Sequence, residues 1–284
     1  MDSPIQKIEG KYRFYLKRDD LLDPRFSGNK ARKLHFFLKS DLAVDTLVSY
    51  GSLHSNAMYS LSELAKLKKW RFIYYAAIDE KALQNPKGNL AAALENGMEL
   101  RSIEELAIDD PNSLSHVVQK GSTLLVPEGV RCKEAQTGVA LLAKEIEEWE
   151  GEARVFLPSG TGATALFLQK HLGLRVYTTP CVGDERYLKE QFFALEPDSK
   201  YHPTILPPPK RYRFGRLYKE LFSLWKDLYE HTGVEFDLLY DPVGFATLLH
   251  HDMVDERLLY IHQGGLKGNE TMIERYKAKF ATIT

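Results

Sequence analysis

The chain has 284 residues, of which 44% are hydrophobic and 27% are charged, a composition typical of a folded globular protein. A formal net charge of −1 gives no electrostatic reason to expect nucleic acid or an anionic membrane as a partner. Cys132 and Cys181 are too few for a disulfide framework and lack the spacing of metal ligands. No apolar run resembles a signal peptide or reaches the roughly 18 residues of a membrane span. We therefore expect a cytoplasmic protein without a metal.

Strands and helices alternate along most of the chain. β-Branched and aromatic runs predict strands at residues 46–50, 71–78, 122–126, 153–157, 174–180 and 257–262. Stretches with helical periodicity separate these runs, and Gly97 and Gly233 are typical of helix ends. The proline-rich stretch at residues 196–213 indicates a surface excursion. This alternation predicts βαβ units with parallel sheets, divided between two α/β domains.

The segment SGNKARKL could hold a reactive lysine. Its apolar positions share one face, which predicts a helix that begins near Gly28 or Asn29. The first turn would then contain three cations, Lys30, Arg32 and Lys33. Because the helix dipole and mutual repulsion disfavour charge there, we expect a lowered lysine pKa and a free amine that can form an imine. A solvated basic face behind an ordinary asparagine cap is the alternative.

Four polar residues follow the strand predicted at residues 46–50, at the junction with the next helix. They are Ser52, His54, Ser55 and Asn56. Ligands of open parallel sheets bind beyond the carboxyl ends of the strands, and helix N-termini attract anions. Routine capping by Ser55 or Asn56 needs only one polar residue. The cluster therefore indicates either a helix cap alone or a cap within a binding site.

A glycine-rich turn follows the strand predicted at residues 153–157. It contains Gly160, Thr161, Gly162, Ala163 and Thr164. Backbone amides in such a turn form a nest that suits a phosphate. The turn also satisfies G-x-G-x-x-A, a weak dinucleotide fingerprint that would suggest a nicotinamide-dependent oxidoreductase. Because the next strand ends in Thr178-Thr179-Pro180, without the acid that holds a ribose, a phosphate site alone is favoured.

A lysine on an early helix, a polar strand end and a separate phosphate nest are together typical of a pyridoxal-phosphate enzyme. The chain resembles the 1-aminocyclopropane-1-carboxylate (ACC) deaminase and D-cysteine desulfhydrase family of such enzymes, whose fold is tryptophan-synthase-β-like. Residues 17–34 carry the resemblance through the motifs K-R-D-D-L and G-N-K-x-R-K-L. The resemblance implies that pyridoxal 5'-phosphate is the cofactor, that Lys30 forms its Schiff base and that Lys33 is the second lysine of the motif.

Further motifs extend the resemblance over nearly the whole chain. Residues 50–56 match Y-G-G-x-x-S-N, which implies that Ser55 transfers protons and contacts the substrate, and that Asn56 contacts the ring hydroxyl of the cofactor. The family's phosphate loop resembles residues 160–164. Its two late motifs resemble Asp241-Pro242-Val243 and His262-Gln263-Gly264-Gly265. The expected substrate contacts are Ser52, His54, Ser55 and Gln263.

The chain departs from the family at two expected tyrosines. The family has a tyrosine after D-P-V and then an acid or threonine that can meet the pyridine nitrogen, whereas this chain has Gly244 and Phe245. A second active-site tyrosine aligns with Phe214. We therefore expect β-elimination from a D-cysteine-like substrate rather than ring opening of ACC, unless Tyr212 or Tyr240 reaches the site.

The sequence thus predicts a pyridoxal-phosphate-dependent lyase or deaminase that converts a small amino acid to a 2-oxo acid and ammonia. ACC deaminase activity proper, a cofactor-binding protein without turnover and a nicotinamide-dependent oxidoreductase are the alternatives. The expected fold is the two-domain α/β fold of type II pyridoxal-phosphate enzymes. Residues 1–39 and 127–284 would form a larger domain, with a smaller domain of residues 40–126 inserted and the active site in the cleft. We also expect a homodimer.

Overall fold

The computed structural model describes residues 1–108, 114–149 and 151–280. The strands are β1 (Ile5–Ile8), β2 (Phe14–Arg18), β3 (Thr46–Tyr50), β4 (Arg71–Ala76), β5 (Met98–Ser102), β6 (Val118–Lys120), β7 (Thr123–Leu125), β8 (Arg154–Ser159), β9 (Val176–Pro180), β10 (Thr204–Ile205) and β11 (Leu258–His262). The helices are α1 (Lys30–Lys33), α2 (His35–Lys39), α3 (Asn56–Lys68), α4 (Glu80–Gln84), α5 (Gly88–Glu95), α6 (Gln136–Glu148), α7 (Ala163–His171), α8 (Glu185–Leu195), α9 (Lys219–Thr232), α10 (Asp241–His250) and α11 (Asn269–Lys279). These elements form two sheets.

The first sheet has five strands in the order β5-β4-β3-β7-β6. Its neighbouring strands are parallel except for β6 and β7, which form an antiparallel pair at one edge. Leu47, Phe72 and Leu124 from three adjacent strands are buried in one core with Leu61 and Leu64 of α3. The apolar runs read from the sequence therefore form parallel strands covered by helices.

The second sheet has six strands in the order β1-β2-β11-β8-β9-β10. Successive residues of its strands point to opposite faces, as the pleat requires. On β8, Val155 and Leu157 join a core that contains Leu166 of α7, whereas Phe156 joins a different core with Phe245 of α10. This sheet is therefore packed with apolar side chains on both faces, which confirms the predicted α/β class with parallel-rich sheets.

The predicted and observed elements differ mainly at short strands, whose conformation depends on pairing with a neighbouring strand. The β1–β2 hairpin was not expected, and Thr204–Ile205, within the predicted surface excursion, pairs with β9 as a sheet edge. A strand of two residues is too short to give a periodic signal. Gly97 and Gly233 follow α5 and α9 with φ angles of +87° and +67°, which confirms both as helix ends.

The five-stranded sheet uses residues 46–125 only, whereas the six-stranded sheet uses both flanking parts of the chain. An inserted domain of residues 40–126 stays a prediction, because two sheets do not by themselves fix domain boundaries. Within the described ranges, no helix has the length and apolar character needed to cross a membrane. The strands that matter for the site are β3, β8 and β11, because a cavity lies beyond their carboxyl ends.

Candidate active site

The cavity gathers residues from segments that are far apart in the sequence. It is lined by nearly all of the predicted site residues: Lys30, Ser52, Ser55, Asn56, Gly160, Thr161, Gly162, Ala163, Thr164 and Gln263. His54 is the exception, because it does not line the cavity. Its backbone carbonyl accepts a hydrogen bond from Asn89 Nδ2 at 3.1 Å, and burial lowers the pKa of its imidazole. The prediction that His54 contacts the substrate therefore lacks support from its position.

Lys30 begins α1 and lies at the cavity, where protein surrounds its amine. Its Nζ donates to Asn29 Oδ1 at 2.9 Å. Burial lowers the pKa of Lys30 to about 8, and the nearby carboxylate of Asp237 opposes that shift. The lowered pKa agrees with the expectation, but the cause differs. The helix dipole and mutual repulsion were the expected causes, whereas loss of solvation is the largest effect on both lysines. Repulsion from Lys30 comes second for Lys33.

The third cation of the segment holds α1 in place. Arg32 is fully buried, with Nε and Nη2 bonded to Asp19 at 2.6 and 2.7 Å, and with Nη1 and Nη2 bonded to Glu145 at 2.7 Å each. Lys17 joins the network through an ion pair of 2.6 Å with Glu145. Breaking such a buried pair costs about 3–5 kcal/mol. The K-R-D-D and N-K-x-R motifs therefore meet in one anchor that ties α1 to β2 and α6.

The polar cluster after β3 contains both a helix cap and cavity-facing groups. Ser55 is the N-cap of α3, with Oγ accepting from the amides of Ala57 and Met58 at 3.1 and 3.3 Å. Asn56 follows it, and its Nδ2 donates to Asp237 Oδ2 at 3.2 Å. Capping is therefore part of the explanation for Ser55, but it does not account for Ser52 and Asn56, which line the cavity as well.

The glycine-rich turn after β8 presents bare backbone to the cavity. Gly162 is the N-cap of α7 with a φ of +75°, and no side chain caps this helix. Within the ranges that the structure describes, the amides of residues 161–164 donate to no protein acceptor. Unpaired amides at the N-terminus of a nine-residue helix attract an anion. The turn therefore suits a phosphate, as the sequence predicted.

Gln263 connects the end of β8 to Asn29, which precedes α1. Its Nε2 donates to the carbonyl of Pro158 at 2.6 Å, and its Oε1 accepts from Asn29 Nδ2 at 2.5 Å. The same Asn29 amide group lies 3.2 Å from Thr164 Oγ1. A methyl group on Gly28 would come within 2.0 Å of the Gln263 carbonyl oxygen, so the chain needs glycine there. These contacts fix the start of α1 against the phosphate turn.

Two buried acids line the cavity that the sequence did not predict as site residues, although Asp241 belongs to one of the late motifs. Asp237 Oδ1 accepts from the amides of Leu239 and Tyr240 at 2.7 and 2.9 Å, and burial raises the pKa of Asp237 to about 6. Asp241 accepts from Tyr260 Oη at 2.6 Å and from the amide of Asp237 at 2.8 Å. Burial and then the charge of Asp237 raise the pKa of Asp241. The signal in the sequence was the spacing D-x-x-Y-D at residues 237–241. It has the acid, the tyrosine and the second acid in the order expected of the family, but the tyrosine is at residue 240 rather than at residue 244.

The aromatic residues around the cavity also differ from the sequence alignment. Tyr240 lines the cavity together with Phe214, and their ring centroids are 5.4 Å apart. Phe245 lies in the core, stacked on Tyr260, and Gly244 also packs against that residue. The sequence analysis placed the family's tyrosine at Gly244 and the following acid or threonine at Phe245. That alignment was wrong, because neither residue lines the cavity and Tyr240 does.

Other cavity residues escaped notice because nothing in their local sequence distinguishes them. They are Glu128, Gly129, Ser159, Val182 and Tyr187, whereas Lys33, which also lines the cavity, is the second lysine of the recognised motif. Tyr212, the other proposed substitute tyrosine, is buried in a separate apolar cluster with Leu221 and Val243. Of the two substitutes considered, only Tyr240 reaches the cavity.

The chain has relatives of similar length among known proteins. No family model matches the chain. The chain is 23% identical to a candidate ACC deaminase from Thermotoga maritima over 93% of each chain. It is 25% identical to a candidate mitochondrial D-cysteine desulfhydrase from Oryza sativa, over 96% of this chain and 82% of the relative. These relatives confirm the resemblance that was read from the motifs.

Solved structures agree on the fold. An ACC deaminase homologue superposes with a TM-score of 0.76 at 20% identity, covering 100% of this chain and 94% of the other. A threonine deaminase from Solanum lycopersicum superposes with a TM-score of 0.66 at 13% identity, covering 96% and 88%. The fold is therefore that of the type II pyridoxal-phosphate enzymes. Within this class, the chain is similar to the ACC deaminase and D-cysteine desulfhydrase family, so the prediction of an enzyme of the lyase or deaminase kind is confirmed.

Proposed function

We propose that this chain is a pyridoxal-phosphate-dependent lyase or deaminase that converts a small amino acid to a 2-oxo acid and ammonia. The observation that carries the proposal is Lys30, a lysine with a pKa of about 8 in the same cavity as the unpartnered amides of residues 161–164. A nucleophilic amine beside an anion nest is what a phosphate-bearing aldehyde cofactor requires. A cytoplasmic homodimer remains part of the proposal.

The residues present fit that cofactor. The amides of residues 161–164 would hold the phosphate, Lys30 would hold the aldehyde carbon, and Asn56 would contact the ring hydroxyl. Asp237 and Asp241 are two of the carboxyl groups that line the cavity, and we propose that one of them meets the pyridine nitrogen. When bound, pyridoxal phosphate withdraws electrons from the α-carbon of an amino acid and so makes its proton removable.

Two side chains are suited to move protons near that carbon. The Lys30 amine can accept and return a proton close to neutral pH, because burial keeps its pKa near 8. Ser55 uses Oγ as an acceptor for two amides, so its hydroxyl hydrogen can donate, either to Tyr74, with which Ser55 shares a hydrogen bond, or to a ligand. Lys30 would therefore remove the α-proton, and Ser55 would contact the substrate or carry a proton.

β-Elimination from D-cysteine or a similar substrate is the reaction we favour. It requires removal of the α-proton and departure of a competent leaving group, both of which the cavity can support without a further acid. Phe214 occupies the position aligned with the family's second tyrosine and has no hydroxyl. This absence supports elimination over opening of a cyclopropane ring.

ACC ring opening is the second candidate, because Tyr240 lines the cavity. Its phenol could supply a proton to the substrate. Loss of one positioned proton-transfer group typically lowers a rate about a hundred- to ten-thousand-fold. If ring opening occurs, Tyr240→Phe should reduce 2-oxobutanoate release by that factor while it changes pyruvate release from D-cysteine much less.

The nicotinamide alternative is weaker. The dinucleotide reading of residues 160–165 needs an acid at the end of β9, and that strand ends at Pro180. Asp184 is the next acid, and it caps α8 by accepting from the amide of Tyr187 at 3.0 Å. A cofactor-binding protein without turnover is the remaining alternative, and only an assay separates it from an enzyme.

A panel of D- and L-amino acids tests the proposal. The holoenzyme is incubated with D-cysteine, L-cysteine, D-serine, L-serine and ACC, and 2-oxo acid and ammonia are measured. We expect pyruvate from D-cysteine at a rate above that of 2-oxobutanoate from ACC. Faster turnover of ACC would reverse the order of the two candidates. Absence of turnover on every substrate, with the cofactor bound at Lys30, would favour the protein without turnover.

A further inference from the structure

Glu128 brings a carboxylate into the cavity that none of the roles above uses. It begins a short turn, Glu128–Val130, that follows β7. The turn is strained, because Val130 is β-branched and has a φ of +55°. Lys33 Nζ donates to the carbonyl of Gly129 and holds the turn against α1. Strained backbone is found most often at functional sites, so this turn suggests that the Glu128 side chain has a function.

The carboxylate of Glu128 lies next to the backbone of Gly51, which follows β3 and precedes Ser52. A methyl group on Gly51 would come within 2.6 Å of Glu128 Oε1 and 2.8 Å of Tyr74 Oη. The bare backbone of Gly51 therefore makes room for both groups. The amide of Ser52 faces the carboxylate and favours its charged form, although burial raises the pKa of Glu128 overall. Glu128 is thus built into the wall beside Ser52, one of the expected substrate contacts.

No described residue forms a close ion pair with this carboxylate, although the charge of Arg131 favours its ionised form. The ion pairs within 4.0 Å among the described residues do not include Glu128, and Arg131 acts on it only through its charge. The remaining neighbours that sense its charge are the phenols of Tyr74, Tyr187 and Tyr240. A half-buried carboxylate without a close ion pair is stabilised when a ligand brings a cation into contact with it, and it repels a ligand that brings a second carboxylate.

We propose that Glu128 determines specificity by binding an ammonium group on the side chain of the substrate. The substrate class is then a small diamino acid, and 2,3-diaminopropionate is the member whose second amino group is on the β-carbon and can leave. This inference rests on the proposed lyase function and names its substrate class. D-cysteine and ACC carry no cationic side chain, so Glu128 would give neither of them such a contact.

The reaction balances with one water as the co-reactant. Lys30 accepts the α-proton, and the electron pair of that C–H bond forms the double bond between the α- and β-carbons. The β-carbon–nitrogen bond breaks, and its electron pair leaves with ammonia. The enamine that is released takes a proton at the β-carbon, and water replaces its nitrogen. The products are pyruvate and two molecules of ammonia, without an oxidant or a reductant.

Paired substrates and variants test the inference. The holoenzymes of wild type, Glu128→Gln and Glu147→Gln are assayed with 2,3-diaminopropionate and with β-chloroalanine, whose leaving group carries no charge in the substrate, using both enantiomers. Glu147 is an exposed carboxylate on α6 and serves as the matched control. A charge-assisted hydrogen bond corresponds to about 10- to 100-fold in kcat/KM. We expect Glu128→Gln to lose that factor with 2,3-diaminopropionate and less than about threefold with β-chloroalanine.

A binding measurement separates this inference from the proposed function. Calorimetry of the holoenzyme compares 2,4-diaminobutyrate with 2-aminobutyrate, neither of which has a β-leaving group. Tighter binding of the diamino acid by wild type, lost in Glu128→Gln, supports the inference. Turnover of β-chloroalanine with no preference for diamino acids would overturn the inference and leave the lyase function standing. No turnover of any substrate would overturn the lyase function, and calorimetry would still decide the role of Glu128.

Discussion

The loop at residues 160–164 and the turn at residues 237–241 contact each other at the cavity, where the Tyr240 ring lies close to Gly160. They contribute to it by different means. The loop offers backbone amides, and its side chains matter little to that role. The turn offers two buried carboxylates and a phenol, and each carboxylate is held by bonds to the backbone or to Tyr260.

The difference explains why one region was recognised and the other was not. A strand followed by glycines and a helix has one geometric consequence, which is a row of free amides at a helix N-terminus. A carboxylate becomes unusual only when its surroundings exclude water, and an acidic residue in a sequence is most often exposed. The loop is therefore a local property of the chain, whereas the acidity of the turn is a property of the whole fold.

The largest expected effect is at Lys30, on which both regions act. Asp237 raises the pKa of this lysine, and the loop would hold the cofactor phosphate in the same cavity. Borohydride reduction of the holoenzyme followed by peptide mapping should place the pyridoxyl group on Lys30. Lys30→Ala should lose the label and at least about a hundredfold in turnover, because the positioned base is gone. Lys33→Arg is the matched control and should keep the label on Lys30, and a label on Lys33 would refute the assignment.

A smaller effect is expected from a change in the loop. Gly162 has a φ of +75°, and a methyl group there would come within 2.6 Å of Leu188 and of Phe192. Gly162→Ala should therefore shift the loop, weaken the binding of pyridoxal phosphate and cost about 1–3 kcal/mol of folding free energy. Cofactor titration and urea unfolding measure the two losses separately.

Gly173 provides the control for that change. It follows α7, and a methyl group on it would meet nothing within 4 Å. Gly173→Ala should leave cofactor affinity unchanged and alter stability by less than about 0.5 kcal/mol. If Gly162→Ala bound the cofactor as tightly as wild type, the loop would not be the phosphate site.

The smallest expected effect is on the pH dependence of imine formation at Lys30, which tests the influence of Asp237 in the turn at residues 237–241. With a pKa of about 8, the neutral fraction of Lys30 in the cofactor-free protein rises from about one tenth at pH 7 to about nine tenths at pH 9. The rate of imine formation with pyridoxal phosphate, followed by absorbance, should therefore rise with pH and level off above pH 9. An ordinary exposed lysine would give a rate that still rises beyond pH 10.

Asp237→Asn removes a negative charge that favours the protonated amine, so the midpoint of this profile should move to lower pH. Asp41→Asn changes an exposed carboxylate and should not move it. A shift to higher pH in Asp237→Asn would contradict the proposed coupling between Asp237 and Lys30.

Much of the fold and part of the site could be predicted from the sequence. The strands around Val48, Ile73 and Phe156 were predictable because buried parallel strands are short apolar runs. Lys30 and the loop at residues 160–164 were predictable because their motifs are contiguous. The hairpin of β1 and β2 and the two-residue strand β10 were not, since pairing with distant strands decides whether such short segments are extended.

The sequence by itself determined the α/β alternation, the reactive lysine and the phosphate turn, because each depends on residues that are neighbours along the chain. Only the tertiary structure decided which tyrosine reaches the cavity. Tyr240 is the N-cap of α10 and lines the cavity, whereas Gly244, one turn into the helix, packs against Tyr260 and Phe156. The same holds for Glu128, Asp237 and Asp241, because their unusual electrostatics arise from burial among segments that meet only when the two sheets have formed.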